Sequence, residues 1–526
     1  MAKLEPIKIN SILYGHSPSP YLTPSGGFNS SIAIDPDFAL DDSGNNSLKA
    51  SGVLRPVAYE SFDGAEVNTN SIAIITNPKD AKVYVVLSNG KLLSYSSSLG
   101  SETSIGTVTG SAANGAVYYN NYIYIFTGTD VSRYGPLNNS PTLTNTVWTG
   151  ATLGTQTALT NTTYPSIRGS GTFPNHWAWV HPNNILYFCD FKNGQGLIHA
   201  IKTSKTTDEG DTNNGSQYNA LDLPFGYMPM SLSNFGNDLA ILAIQTSNTS
   251  LDQGKAALFL WDTFSDTFFE QVPLSDGIAT ALINANGSLY FFAGKISATG
   301  GHTLYKYLGG KQYDSVVVVP EGHPPMQGAV DSIGNRIVWG SFVTYPNNSA
   351  CVWAYGSKDG ELPMGLQNIA TSKASASSTD GLITCLKQVE QNNIALTKLV
   401  LGWRDASNFG LDKLSTTYQT HYWRSQLFNL NQPFKITRIK LSFGKAIATN
   451  MTLVPTLYFD DLSRSVALTT INNTNFANSE RRVVLDVSTV GNVQGINNFL
   501  LELKWSGTAH LPVLLPITIE WDVQSP

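Results

Sequence analysis

The stretch Asn284–Tyr307, NANGSLYFFAGKISATGGHTLYKY, reads as a turn, an apolar strand, a long polar turn and a second strand that ends in an aromatic residue. Asn and Gly supply the positive backbone angles that a tight turn needs. A nearly unbroken apolar run such as LYFFA belongs to a strand buried on both faces. The same grammar recurs along the chain: DAKVYVVLSNGKLLSY from Asp80, NNYIYIFTGTDVSRY from Asn120, and NNILYFCDFKNGQGLIHA from Asn183. It returns in GNDLAILAIQ followed by AALFLWD, in GNRIVWGSF followed by ACVWAY, and in NNIALTKLVLGW from Asn392. The leading strands begin near Val83, Tyr122, Ile185, Leu239, Leu289, Ile337 and Ile394, at intervals of 39 to 63 residues. Their partner strands close on Tyr95, Tyr134, Trp261, Tyr307, Tyr355 and Trp403, with His199 in that place in the third unit.

An array of four-stranded units at roughly this period is the signature of a β-propeller. No WD or kelch pattern repeats faithfully, so the sequence predicts a divergent propeller over residues 51–415, with about seven blades and six as the alternative count. An irregular run of hairpins or two stacked sandwiches is the competing reading. From Tyr418 the text changes to period-2 alternation, as in MTLVPTLYFDD and RRVVLDVST, which predicts a C-terminal β-sandwich over 416–526. In KITRIKLSF, Ile436, Ile439 and Leu441 do not share one parity, which predicts a bulge. Residues 1–50 are rich in Pro, Gly, Ser and Asn without sustained period. They read as an extended arm lying on the propeller or on a neighbouring subunit, ordered only by what it packs against. GVLRPVAY (52–59) is the candidate outer strand that closes the last blade.

Composition suits this all-β reading. Only 13% of the 526 residues are charged, and solubility rests on Asn, Ser, Thr and Gly. The net charge of -6 argues against a nucleic acid gripped along the chain. The balance is uneven: 23 basic against 31 acidic residues up to Thr416, then 9 against 7. The start MAKLEPIKIN lacks the apolar core of a secretory signal, and no apolar run approaches a bilayer-spanning length. The expectation is a chain made in the cytosol and not inserted in a membrane. Cys189, Cys351 and Cys385 are odd in number and far apart, which is no disulfide framework.

Catalytic, cofactor and metal signatures are not found in the text. His176 and His181 frame HWAWVH at a spacing of five, which is no usual zinc pattern. IDPDFALDDSGNN from Ile34 lacks the register and closing Glu of a calcium loop. There is no nucleophile elbow, P-loop or zinc-protease motif, and no pair of carboxylates stands out for glycoside hydrolysis. NHWAWVHP (175–182) is the best candidate for a ligand-facing loop, through Trp177 and Trp179. Arg424, Arg438, Arg481 and Arg482 are candidate subunit-contact residues, since Arg is enriched at interfaces. Their competing role is to coat the sandwich surface.

Two segments carry a resemblance, GGFNSSIAIDPDFAL…SGVLRP at the N-terminal entry and YWRSQLFNLNQPFKITRIKLSF where propeller gives way to sandwich. The arrangement resembles virion proteins of tailed bacteriophages, of the tail nozzle or tail-hub type. That resemblance implies a structural, non-enzymatic role in the virion tail, after assembly in the bacterial cytoplasm. The implied partners are copies of itself in a cyclic homo-oligomer (a hexamer is the working number) and other tail or connector proteins. DNA would pass through the ring's channel without specific binding, and no cofactor is implied. A receptor- or glycan-binding tail protein and a propeller glycoside hydrolase are the alternatives.

Overall fold

The computed structural model describes residues 4–12, 14–17, 27–32, 34–35, 53–54, 56–62, 67–77, 82–96, 99–109, 113–128, 130–148, 153, 176–202, 217–245, 255–274, 278–294, 300–333, 335–343, 349–356, 365–375, 381–390, 397–405, 408–415, 421–444, 446–447, 449–460, 462–477, 479–488, 494–495, 497–507 and 513–523. Within these the protein is all-β, built from many small antiparallel sheets, and the one helical element is a 3-10 turn at Gln327–Ala329.

Seven sheets have four strands each, in simple meander order. Sheet 1 comprises Ser71–Asn77, Lys82–Leu87, Lys91–Tyr95 and Glu102–Thr107. Sheets 2 to 6 follow in chain order, opening on Ala113–Tyr119, Ala178–Val180, Tyr227–Phe235, Ile278–Ala285 and Val330–Ile333. Sheet 7 takes Leu382–Glu390, Thr397–Asp405 and Asn408–Ser415 from late in the chain, and its fourth strand, Ala58–Ser61, from early in it. The segment GVLRPVAY thus divides: Val53–Leu54 pairs with Val513–Val523, and the chain from Ala58 closes sheet 7.

Each small sheet is covered on both faces by its neighbours. Seven separate apolar cores lie between successive sheets, and the seventh joins Cys385, Val400 and Leu411 of sheet 7 to Ile74, Val83 and Leu93 of sheet 1. The first strands also neighbour one another in order, with Leu382–Glu390 beside Ser71–Asn77. Second strands are mostly apolar for this reason: every residue of Arg336–Val343 is buried.

The leading strands of the sequence units are therefore the second strands of these sheets. Several first and fourth strands, such as Val330–Ile333 and Glu102–Thr107, are short or polar, and the apolar signal passes over them. Tyr95, Trp261 and Tyr355 do end third strands, opposite Val83, Leu239 and Ile337, and Tyr134, opposite Ile123, stands one residue before the end of its strand. Trp403 does not. It lies in the second strand of sheet 7, and its indole N–H donates to Asp412 at 2.8 Å.

Two larger sheets share one further core. In sheet 8, Ile7–Ile9, Val513–Val523, Phe434–Phe443 and Arg482–Asp486 lie side by side. Sheet 9 runs Gly15–His16, Gly27–Ile32, His421–Ser425, Asn498–Gly507, Met451–Phe459 and Arg464–Ala467. Met451–Phe459 alternates strictly between buried and half-buried positions, as a strand with one covered face must. The register along Phe434–Phe443 slips between Ile436 and Arg438, which brings Ile436, Ile439 and Leu441 to the same buried side.

Residues 1–50, read from sequence as an extended arm without a core, contribute strands to both large sheets wherever they are described. Ile9, Ile12, Phe28 and Ile34 are buried in the shared core with Trp423 and Trp505. The sparse apolar residues of this segment suffice because the partner strands already exist; its 18–26 and 36–52 portions lie outside the described residues. The segment also binds the large sheets to sheet 6. His16 N–H donates to Leu366 O at 2.7 Å, its ring stacks on Trp353, and Ile34 N–H donates to Asn368 O. Arg336 clasps Asp35 through two contacts of 3.0 and 3.1 Å, with both side chains almost fully buried.

That ion pair gives a test of the joint. Removing one partner of a buried pair strands the other charge and costs about 3–5 kcal/mol. Asp35→Ala should lower the unfolding free energy by about that amount in a denaturant titration, and Asp35→Ala/Arg336→Met should recover most of the loss. Equal midpoints for wild type and Asp35→Ala would remove the pair from any structural role.

Candidate functional site

The first strands enclose a cavity of about 360 Å³. Its wall comes from Ala73–Thr76, Ala116–Tyr118, Trp177–Val180, Leu282–Asn284, Val330–Ser332 and Leu386–Lys387, so six of the seven small sheets contribute. The opening of a first strand is specialised. In sheets 1, 2, 4, 5 and 7 its register slips by one residue, at Ile72, Asn114, Met230, Thr280 and Thr384.

The 3-10 turn Gln327–Ala329 seats itself at these bulges. The Gln327 amide bonds Leu282 in both directions, accepting from its N–H at 2.9 Å and donating to its O at 3.1 Å. The Ser231 hydroxyl donates to the same Gln327 oxygen. A Cβ on Gly328 would stand 2.6 Å from Ile72 O, so only glycine lets the turn approach sheet 1 this closely. Thr280 donates to Pro325 O, and Ser71 bonds Thr384 across the boundary of sheets 1 and 7. The turn closes the cavity at the start of the first strands, and the lining residues lie further along them.

Beyond the turn the wall mixes charge, hydroxyl and aromatic groups. Lys387 Nζ lies 3.1 Å from Asp331 Oδ1. The Asp331 carboxylate also accepts the N–H groups of Ser332 and Gln388, both at 3.0 Å. Trp177 and Trp179, the ligand-facing candidates of the sequence, both line this cavity and are half-buried. Their indole nitrogens are shut off from solvent without a hydrogen-bond partner.

Of the arginines, Arg424 is engaged inside the chain: it pairs with Glu502 and lies over the Tyr458 ring at 4.7 Å. Arg438 is half-exposed, 3.9 Å from Glu520. Arg481 and Arg482 are exposed, the latter on the outward side of the edge strand Arg482–Asp486. Sequence reading missed Lys387 and Asp331. They stand 56 residues apart in unremarkable strand text, and only the neighbouring of sheets 6 and 7 brings them together.

Among the described residues, His176, His181, His199, His302, His323 and His421 are buried and His16 is half-buried. His176 and His199 flank Asp190, and all three are fully buried. Asn219 N–H donates to His199 Nδ1, so the Nε2–H of His199 donates to Asp190 at 3.1 Å. His176 donates from Nδ1 to Cys189 O at 2.9 Å, and His421 donates to Val57 O at 2.7 Å. Among the described residues no group of three His, Cys, Asp or Glu side chains is arranged to hold a metal, and no helix is long and apolar enough to cross a membrane. Burial pushes the Cys385 thiol up to about 11 and Cys351 well above its ordinary value.

No protein-family model and no curated protein matches this chain. Among solved structures it is similar to a computationally designed protein, Ika8, at 12% identity and a TM-score of 0.38; the match covers 68% of this chain and 99% of that one. A likeness of that degree carries no weight for fold or function, which rest here on pairing and packing.

Burial makes stability acid-sensitive. It lowers His16 to about 4 and His302 to about 3, and lowers His176 and His323 as well. Above about pH 6.5 these groups are neutral in both folded and unfolded chains, so they add no pH dependence. As pH falls from 6.5 towards 4, the unfolded chain takes up protons that the folded chain refuses, and stability falls. His16 alone makes the loss on the order of 3 kcal/mol at pH 4. Denaturant midpoints at pH 7.5, 6, 5 and 4 should decline steadily below 6.5, and His302→Gln should flatten part of that decline.

Proposed function

We propose that the chain is a structural subunit of a tailed-phage particle, of the tail nozzle or hub type: a seven-bladed β-propeller bearing a β-sandwich, working as a closed homo-oligomeric ring in the virion. The observation that carries this reading is the union of the two modules. Both ends of the chain weave into the sandwich, and the same N-terminal segment is fastened to sheet 6 and closes sheet 7. A protomer joined in this way transmits force without a hinge between body and sandwich.

Charge supports assembly by unlike faces. The outward side of sheet 8 carries Lys8, Arg438, Lys440 and Arg482, partly offset by Glu520 and Asp486, while the chain up to Thr416 has a net charge of -8. Two different complementary surfaces on one protomer generate rings when the rotation closes. Any DNA passage would lie between protomers, because the cavity within one is small and capped by Gln327–Ala329. The propeller itself is supported by the seven cores and by the packing of the last first-strand against the first.

Native mass spectrometry and negative-stain images of the purified chain should show a closed ring whose population falls as salt rises. Arg481→Glu/Arg482→Glu should shift it towards monomer while leaving the melting temperature unchanged. A wild-type chain that remains monomeric at high concentration and in intact particles overturns the reading.

A further inference from the structure

We propose that the cavity between the first strands is a saccharide-binding pocket for one or two pyranose rings, a property that does not depend on ring assembly. Its volume of about 360 Å³ falls within the ~300–1,000 Å³ typical of small-molecule sites. It is closed at one end by Gln327–Ala329, so a ligand enters from the side of the first hairpin turns and only the end of a longer glycan fits.

The lining matches a neutral polyol. Trp177 and Trp179 flank the buried Ala178 at the start of the strand Ala178–Val180, and both border the cavity. Their N–H ends are sealed off, and Trp179 also packs on the core between sheets 3 and 4, so any ring surface left to the cavity is carbon. The negative face of an aromatic ring attracts the slightly positive C–H groups on the flat side of a pyranose. Around them stand groups whose hydrogen-bonding capacity is unspent. The hydroxyls of Thr76 and Ser332 and the side-chain oxygen of Asn284 make no hydrogen bond within the described chain, the Asn284 amide N–H being taken by Asn234 O at 2.8 Å. Lys387 keeps further N–H donors beyond its bond to Asp331.

Electrostatics narrows the class. Lys387 is balanced by Asp331, and the carboxylate is already held by Ser332 N–H, Gln388 N–H and Lys387. The pocket thus has no net charge from this pair to attract phosphate, and no idle carboxylate to attract a metal ion. A polyhydroxylated neutral ring satisfies both the aromatic wall and the spare donors and acceptors.

The test is a glycan microarray with the purified full chain, followed by calorimetric titration of the best-retained glycan and, separately, of inorganic phosphate. Saturable binding of a neutral glycan is expected. Trp177→Ala or Lys387→Met should weaken it about tenfold or more, as loss of a central anchor does, and Arg481→Glu/Arg482→Glu should leave it intact. Thr76→Val and Ser332→Ala, which keep the pocket's shape, serve the same purpose if the tryptophan variant fails to fold. No saturable binding to any array glycan, binding unaffected by all four pocket variants, or a preference for phosphate would each overturn the proposal. Because the Arg481→Glu/Arg482→Glu chain is examined for both properties, loss of assembly and loss of sugar binding are read apart.

Discussion

A four-stranded sheet whose two middle strands are apolar on both faces cannot stand alone, and cannot stand at the end of a row. Each such face left bare exposes several large side chains, at about 25 cal/mol for every Å² not removed from water. A linear stack of seven would always leave two faces open. Contact of the last sheet with the first removes both at once, through Cys385, Val400 and Leu411 against Ile74, Val83 and Leu93. The other arrangements follow. The first strands converge, the backbone must bulge where they crowd, and a space remains between them that the chain partly refills with Gln327–Ala329. Pairing of Ala58–Ser61 with Asn408–Ser415 then ties the early chain to the late chain, so the closing contact is held by hydrogen bonds as well as by apolar surface.

The same constraint decides what the sequence could tell. Middle strands announce themselves because both faces are covered, and YVVL, YIYIF and IVWGSF are legible without any structure. A first strand such as Val330–Ile333 is half-buried at every position, since one side meets a cavity instead of a neighbour. Its text, VDSI, resembles any loop, so that unit was read as beginning one strand late. The large sheets read well for the opposite reason: one covered face gives alternation, and the broken parity of Ile436, Ile439 and Leu441 pointed to a bulge in that strand, where the register slips between Ile436 and Arg438. The N-terminal strands were illegible as sheet because their order is borrowed. Their apolar residues come in short runs among Pro, Gly, Ser and Asn, and what fixes Ile9 and Phe28 is Ile517 and Ser425 opposite, some four to five hundred residues later in sequence.

Candidate sites were legible to a smaller extent. Trp177 and Trp179 drew notice as a pair of exposed-looking aromatics, and they do border the cavity. Arg424 drew notice equally and is spent on Glu502 and Tyr458. Nothing in local sequence separates these outcomes, because each depends on what a distant strand presents. The buried histidines show the same limit. His176 and His199 are isolated in the text, yet Asp190 lies between them, and the tautomer of His199 is dictated by a backbone N–H at Asn219.

Around sheet 6, mechanical and chemical consequences coincide. His16 stacks on Trp353 of sheet 6, His302 accepts the indole proton of Trp339 in the adjoining strand, and Asp35 meets Arg336 in that same strand. The His16 and Asp35 contacts join the N-terminal segment to sheet 6, and the His302 contact joins sheet 5 to sheet 6. A neutral His302 can accept from Trp339; a charged one cannot, and it would sit near His323 without a counter-ion in contact. Acid should accordingly act first on this seam. The four-stranded sheets away from it, such as sheets 1 and 2, are bound by hydrocarbon and backbone bonds that do not titrate. Loosening at the seam would act on two attachments of sheet 6, its contact with sheet 5 through His302 and its fastening to the N-terminal segment through His16.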